Sequence, residues 1–382
     1  MDNIKRCNRC ILPDSVPGIS FDNEGICNYC REYERNFSIW NQIAEKKEKE
    51  FGELLERARK LKRTYDCLIP LSGGKDSTYA LYLCSKFYGL RTLAVTFDNG
   101  FLTEPAKKNI ENALSNCNAD HIYYTLNRAR TQELFRIFIL RTGDFCNACM
   151  RGINFSIEIM VKNFNIPLVI KGSGRRVQYV SQIKGVTSLN TPAYFTNVIK
   201  DTESEKEFKY LSRGKNNQEF HKIAGGLCDI LGISRAFLMK YVPQYVGLYD
   251  YIYKPFPEIV EIISKEMGWR DYAGSTEHLD CELHDVPFYK DTLRIEGITK
   301  HTFHRSGLIR QGLLTRNEAL MEEEKELQLN FKNPPVELMK LLDKIHVDFE
   351  VYKNTVISSD KSIYEPNIQK FAREIYHKFR KF

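Results

Sequence analysis

The sequence has no run of about 18 apolar residues, so nothing in it is expected to span a membrane. No apolar segment follows the opening Met1-Asp2-Asn3-Ile4-Lys5-Arg6-Cys7, so a secretory leader is not expected and a cytoplasmic location is. No internal repeat is evident. No charge of one sign dominates: 56 Lys and Arg face 49 Asp and Glu, a net charge of +7. That balance is too mild for a nucleic-acid tail and suits an anionic substrate or a modest RNA surface. Hydrophobic content of 42% against 27% charged excludes wholesale disorder. A chain of 382 residues buries a core without staples and divides naturally into two or three domains.

Cysteine is what the chain does have, with 11 in all. Without a leader a disulfide framework is not expected. Six of the cysteines fall in three Cys-x-x-Cys pairs, which points to metal sites. Cys7 and Cys10, then Cys27 and Cys30, lie in a short, turn-rich head at 1–36. Two such knuckles aim four sulfurs at one point, the tetrahedral set that zinc fills. All four positions come from the protein, so the expected role is structural. A rubredoxin-like iron site uses the same ligands.

From 37 to 63, Trp40, Ile43, Phe51, Leu54, Leu55 and Leu61 recur at helical spacing among Lys and Glu, predicting one linker helix. Strand-type runs follow at 65–71, 91–97, 121–125 and 166–171, alternating with helical patterns at 78–87, 104–115, 131–141 and 152–163. Such alternation predicts an α/β fold with a doubly wound parallel sheet, here spanning 64–250. The polar stretch 172–225 reads mostly as a long loop of lid type. Residues 251–382 read as mainly helical, with helices at 319–329 and 335–345 and an amphipathic terminus at 368–382.

Between the first strand and first helix stands Ser72-Gly73-Gly74-Lys75-Asp76-Ser77. Its glycines let the backbone present N–H groups to an anion, and a helix N-terminus adds partial positive charge. Lys75 is a point charge for phosphate, and Asp76 suits Mg²⁺ or loop orientation. The run lacks the Gly-x4-Gly-Lys-Ser/Thr spacing of a Walker A loop. It resembles the SGGxDS signature of the PP-loop ATP pyrophosphatases. That likeness implies an adenine nucleotide alpha hydrolase-like fold. It also implies ATP split between its α and β phosphates, an adenylated oxygen, and AMP displaced by nitrogen or sulfur. Phe97 and Asp98 end the second strand, where such folds hold adenine and ribose. Gly172 and Ser173 end the fourth, followed by Arg175 and Arg176, which read as phosphate contacts or as plain surface charge.

A third pair, Cys146 and Cys149, stands at a helix start, with Cys228 or Cys281 as a third ligand. This set reads as a second metal site, as packing or pocket cysteines, or as redox thiols. Three cysteines holding a [4Fe–4S] cluster is the pattern of some PP-loop tRNA thiolases. Cys67, Cys84 and Cys117 read as core. Glu277, His278 and Asp280 cluster as candidates for proton transfer.

The head, from Cys7-Asn8-Arg9-Cys10-Ile11-Leu12-Pro13-Asp14 to Glu24-Gly25-Ile26-Cys27-Asn28-Tyr29-Cys30, resembles the opening of the N-acetyl sugar amidotransferases. These are the enzymes of the pseudaminic acid and lipopolysaccharide type. The likeness returns at His304-Arg305-Ser306-Gly307-Leu308-Ile309-Arg310-Gln311-Gly312 and Thr315-Arg316-Asn317-Glu318-Ala319-Leu320. It implies conversion of a sugar acetamido group to acetamidino in surface polysaccharide or nonulosonic acid synthesis, driven by ATP and Mg²⁺, with Lys75 and Asp76 catalytic. No Cys follows Met1 and no Gly-x-Cys-x-Gly elbow occurs, so ammonia would come from a separate glutaminase subunit. Where that family carries Lys-His-x-Glu-Ser and Phe-Gly-x-Asp-Lys-Arg, this chain has Ser275-Thr276-Glu277-His278-Leu279-Asp280-Cys281 and no Asp-Lys-Arg. The acceptor stays open on this reading. The alternative is a sulfurtransferase acting on tRNA or a small metabolite through a cluster on Cys146, Cys149 and Cys281 or Cys228. A homo-oligomer fits either reading.

Overall fold

The computed structural model describes residues 4–174, 191–212, 239–240, 242–271, 280–328, 333–359 and 363. Arg175, Arg176, Cys228, Glu277, His278 and the 368–382 segment lie outside the described residues. Five parallel strands form one sheet in the order β3-β2-β1-β4-β5. They are β1 (Cys67–Pro70), β2 (Thr92–Asp98), β3 (Ala119–Thr125), β4 (Leu168–Lys171) and β5 (Gln244–Gly247). Leu68 lies beside Leu93 on one side and Val169 on the other, which fixes the register of the three central strands.

Successive residues of a strand face opposite sides, and here both sides are apolar. Cys67 and Ile69 point to one layer, shared with Phe51, Leu55, Tyr79, Ile110 and Ile263. Leu68, Leu93 and Val169 point to the other, against Ile157, Met160 and Val161. The first layer is built by α2 (Ala44–Lys60), α3 (Lys75–Leu81), α4 (Glu104–Ser115) and α9 (Phe256–Met267), the second by α6 (Cys146–Phe164). Helices on both faces make the sheet doubly wound. Its layout is compatible with a nucleotide-binding α/β fold. The expected β3 and β4 are present, and β3, an edge strand, has only half-buried and exposed residues.

Several elements differ from the expectations. The linker helix is two helices, α1 (Asn28–Gln42) and α2, broken at Ile43. The break lets α1 bury Cys30 and Tyr33 while α2 buries Phe51, Leu54, Leu55 and Ala58 on the sheet layer. Helix α6 starts at Cys146, the helix start expected for the third cysteine pair, and so runs ahead of the apolar periodicity at 152–163. Gly143 in the left-handed region closes α5 (Arg128–Thr142), and the Asp144 carboxylate accepts from the Cys146 N–H at 2.9 Å. The stretch read as loop contains α7 (Pro192–Ile199) and α8 (Glu205–Ser212). Thr191 caps α7 by accepting from the Tyr194 N–H, with Pro192 at the first helical position. Strand β5 was not foreseen, being four residues long and next to Pro243.

The helical C-terminal region contains α10 (Asp285–Thr292), α11 (Thr302–Gln311), α12 (Arg316–Gln328), α13 (Val336–Lys344) and α14 (Phe349–Ser358). Leu283, Tyr289, Leu341, Leu342 and Tyr352 from it form a second core with Phe135, Phe138 and Phe195. Within this core, Lys290 donates to Asp144 at 2.9 Å, both side chains being 6% exposed. The pair ties α10 to the turn that starts α6. The lysine ammonium is held charged: burial opposes this, and the facing carboxylates of Asp144 and Asp291 override it. Replacing Lys290 by Met would leave the buried Asp144 carboxylate without the Lys290 ammonium. Urea unfolding of Lys290→Met should show a loss of about 3–5 kcal/mol, because an uncompensated buried charge is the costly state.

Candidate metal centre and nucleotide site

The head is built on two tight turns and almost no regular structure. Arg6 bridges Pro13 and Phe21 bridges Cys27, each by a single antiparallel contact. These bring the ligand atoms of Cys7, Cys10, Cys27 and Cys30 within 4.8 Å of one another, all four residues buried. The N–H groups of Arg9, Cys10 and Cys27 point at the Cys7 sulfur, at 3.4, 3.4 and 3.2 Å. Crowding pulls the thiols in opposite directions. Cys7 is held far below the ordinary thiol range, first by hydrogen bonding from Cys10, while Cys30 is driven far above it, first by Cys10. Four converging sulfurs with backbone donors around them are the donor set of zinc or an iron–sulfur centre. With every ligand supplied by the chain, a metal here would hold the fold rather than do chemistry.

This head packs on the C-terminal region. Leu12, Val16 and the four cysteines share a small core with Ile295, Ile298 and Phe303. Arg6 donates to the Ile11 carbonyl at 2.6 Å and to the Gly297 carbonyl at 2.7 Å. Arg316 donates from Nε to the carbonyls of Cys7 and Cys10, each at 3.1 Å. Arg310 also lies near enough to favour a Cys10 thiolate. The two segments that carry the family likeness therefore meet in space, three arginines gathered around four sulfurs.

The second site lies where the strand order turns back, between β1 and β4, at their carboxyl ends. Ligands of open α/β sheets bind in that crevice. Residues 72–74 leave β1 and Lys75 begins α3. Gly73 has φ +81°, and a Cβ there would come within 2.9 Å of the Ala106 carbonyl carbon. Gly172, after β4, is as confined: its Cβ would lie 2.5 Å from the backbone carbon of Asp76. Both positions admit only glycine. Inside the loop Ser77 Oγ accepts from the Ser72 N–H at 3.2 Å and donates to the Gly74 carbonyl at 3.0 Å. Ser72 Oγ accepts from the Gly74 N–H at 3.3 Å. These bonds shape the loop.

Residues far along the chain hold the loop from outside. Trp269 Nε1 donates to the Gly73 carbonyl at 3.0 Å. The Tyr249 hydroxyl donates to Asp76 Oδ1 at 2.6 Å. Lys75 Nζ lies 3.5 Å from Asp76 Oδ2 and 4.8 Å from the centre of the Phe256 ring. Neither Tyr249 nor Trp269 was foreseen. A signal was present in the aromatic density of 245–256, but nothing in one sequence ties it to a loop some 170 residues earlier. Ser173 lends its carbonyl to the Tyr249 N–H at 3.1 Å, joining the β4 end to the same holder. Phe97 lies over Gly152, leaving no room for a side chain there, and stacks near Tyr124. Asp98 accepts from the Gly100 N–H and from Arg128, each at 2.8 Å, so in this structure it shapes the turn after β2.

The segment 280–283 runs along that turn. Glu282 N–H donates to the Phe101 carbonyl and Leu102 bridges Cys281. Asp280 is thereby brought to the phosphate-type loop, its Oδ2 3.8 Å from where a Cβ on Gly74 would stand. Cys281 arrives beside α6: Asn99 donates to Cys149 at 3.2 Å and also hydrogen-bonds to Cys281. Burial pushes Cys149 up to about 12 and Cys281 up to about 11, and Cys146 also upward, so all three are neutral thiols at neutral pH. Among the described residues, the head cysteines are the group of three or more that converges tightly enough for a metal. Cys67 and Cys84 lie buried in the sheet core, and Cys117 packs against it.

No family model matches the chain. Over 171 residues it is 30% identical to an uncharacterized protein of Methanocaldococcus jannaschii. The alignment covers 44% of this chain and 58% of that relative, a little over half its length. Among the described residues no helix is long and apolar enough to cross a membrane.

The head gives a direct prediction. Protein purified without chelator should carry one tetrahedral metal site per chain by elemental analysis. Cys30→Ala should lose that metal and expose 295–303 to limited proteolysis, since metal binding supplies the folding energy of so small a module.

Proposed function

We propose that the chain is an ATP- and Mg²⁺-dependent, AMP-forming amidotransferase of the PP-loop type, acting on an N-acetylated sugar. What carries this reading is the loop Ser72–Ser77 at the switch point. It is stripped of side chains where two backbones meet and carries Lys75 and Asp76, with the Asp280 carboxylate beside it. The likeness of the head and of 304–320 to the N-acetyl sugar amidotransferases supplies the acceptor class.

In the proposed reaction the acetamido oxygen attacks the α-phosphorus of ATP. The bond from that phosphorus to the bridging oxygen breaks, and pyrophosphate leaves. Ammonia, delivered by a separate glutaminase subunit, adds to the activated carbon. AMP departs with the former amide oxygen, leaving the acetamidino group. The backbone N–H groups of 73–77 and Lys75 would face the growing negative charge of the leaving pyrophosphate. Fixed donors aimed at developing charge are usually the largest catalytic term. Mg²⁺, carried near Asp76, would share that role. Of the three candidates for proton transfer, Asp280 is the one that the described residues place at the loop.

A second reading rests on one observation, Asn99 reaching both Cys149 and Cys281 beside the same loop. Under it, sulfur replaces nitrogen, a cluster sits on Cys146, Cys149 and Cys281, and tRNA or a small metabolite is the acceptor. Anaerobic preparations separate the two. Iron and inorganic sulfide retained by wild type but lost in Cys149→Ala favour sulfur chemistry, whereas a colourless protein carrying zinc alone disfavours it.

Incubation with acetamido sugars, ATP and ammonium should yield AMP and pyrophosphate. Lys75→Ala should lower that turnover by about 100-fold or more with the fold retained, the scale of losing one charge-stabilising donor. Release of ADP and phosphate would contradict the proposal.

A further inference from the structure

The Asp76 carboxylate is held in an unusual way for a group at a loop. One oxygen accepts from the Tyr249 hydroxyl at 2.6 Å, and the other lies 3.5 Å from Lys75 Nζ. Tyr249 is 3% exposed and sits in the helical turn Leu248–Asp250 that follows β5. Its ring belongs to the sheet core beside Tyr79, Leu248 and Ile252, so it cannot swing away without opening that core. Its own backbone is fixed as well, through the N–H bond to the Ser173 carbonyl.

A carboxylate has two oxygens and can turn about its bond to Cβ. A donor locked on Oδ1 stops that turn. It leaves Oδ2 as the oxygen that faces the loop's cation, which is Lys75 Nζ in this structure. Hard divalent cations take carboxylate oxygens at short distance, and magnesium tolerates little error in their direction. Groups that hold a ligand's far side commonly set its orientation and affinity.

We propose that Tyr249 is a positioning residue for the divalent cation of the nucleotide site, acting through Asp76 Oδ1 so that Oδ2 is presented to the metal. The inference rests on the ATP reading given above. It assigns the cation requirement to a residue 173 positions away in the chain. Phe256 under Lys75 and Trp269 on the Gly73 carbonyl come from the same 249–269 stretch, so one segment fixes the loop's carboxylate, its cation and its turn.

The test is calorimetric titration of ATP into the full chain across a series of Mg²⁺ concentrations, for wild type, Tyr249→Phe, Asp76→Asn and the double variant. Tyr249→Phe removes one oxygen and keeps the ring in the core. Its Mg²⁺ half-saturation should rise about five- to tenfold, while ATP affinity at saturating Mg²⁺ changes less than about twofold. The double variant should match Asp76→Asn alone, because residues acting as one unit are not additive. A purely structural tyrosine would instead lower the melting temperature and weaken ATP equally at every Mg²⁺ concentration. Unchanged Mg²⁺ dependence in Tyr249→Phe, with wild type binding ATP normally, overturns this inference alone. Failure of wild type to bind ATP at any Mg²⁺ concentration overturns the nucleotide reading and this inference with it.

Discussion

Backbone lies directly on backbone where the loop after β4 meets the start of α3, and the rest of the site depends on that contact. Gly172 sits against the peptide of Asp76, and Gly73 against the carbonyl of Ala106, with no space for a methyl group at either. The first contact joins the ends of β1 and β4, the two strands between which the sheet order reverses. The second brings α4 against the loop. Because no side chain intervenes, the loop stays pressed between α4 and the end of β4, with the N-terminus of α3 behind it.

The same segment that completes the sheet also steadies the loop. Strand β5 pairs with β4, and the chain then runs through Tyr249, Phe256 and Trp269, each of which touches a different part of the loop. On the other side of the crevice the 280–283 segment lies along the turn after β2, bringing Asp280 and Cys281 with it. The head is remote in sequence from these parts but joins the same body through 295–316. There Arg6 and Arg316 fasten the cysteine turns by their carbonyls. Four thiolates on a divalent metal carry net negative charge, so arginines gathered around them are electrostatically apt.

Much of this was legible because it rests on local pattern. Four sulfurs at two fixed spacings, a Gly-Gly turn between a strand and a helix, and alternating apolar runs each need only neighbouring residues to be read. The parts that escaped are those that need distant partners. Asp76 gives no sign in sequence that Tyr249 holds it, nor Gly73 that Trp269 does. The start of α6 at Cys146 was legible from the Gly143 break, but not that Asp144, itself held by Lys290, anchors its first N–H. The break at Ile43 follows from two surfaces that one straight helix would have to serve, a constraint of packing rather than of propensity. The polar residues on either side concealed α7 and α8, although the apolar Tyr194, Phe195, Val198 and Ile199 and the Thr191-Pro192 start signal were there to be read.

An ordinary composition thus frames two unlike devices, a sulfur-lined head that braces the C-terminal region and a glycine loop at the switch point of the sheet. The central claim is that the loop is a cradle for pyrophosphate. Calorimetric titration of the full chain with inorganic pyrophosphate and Mg²⁺, alone and in the presence of ATP, tests it most directly. The account predicts one pyrophosphate site per chain, which ATP displaces competitively. Absence of pyrophosphate binding, or binding that ATP leaves untouched, would contradict it.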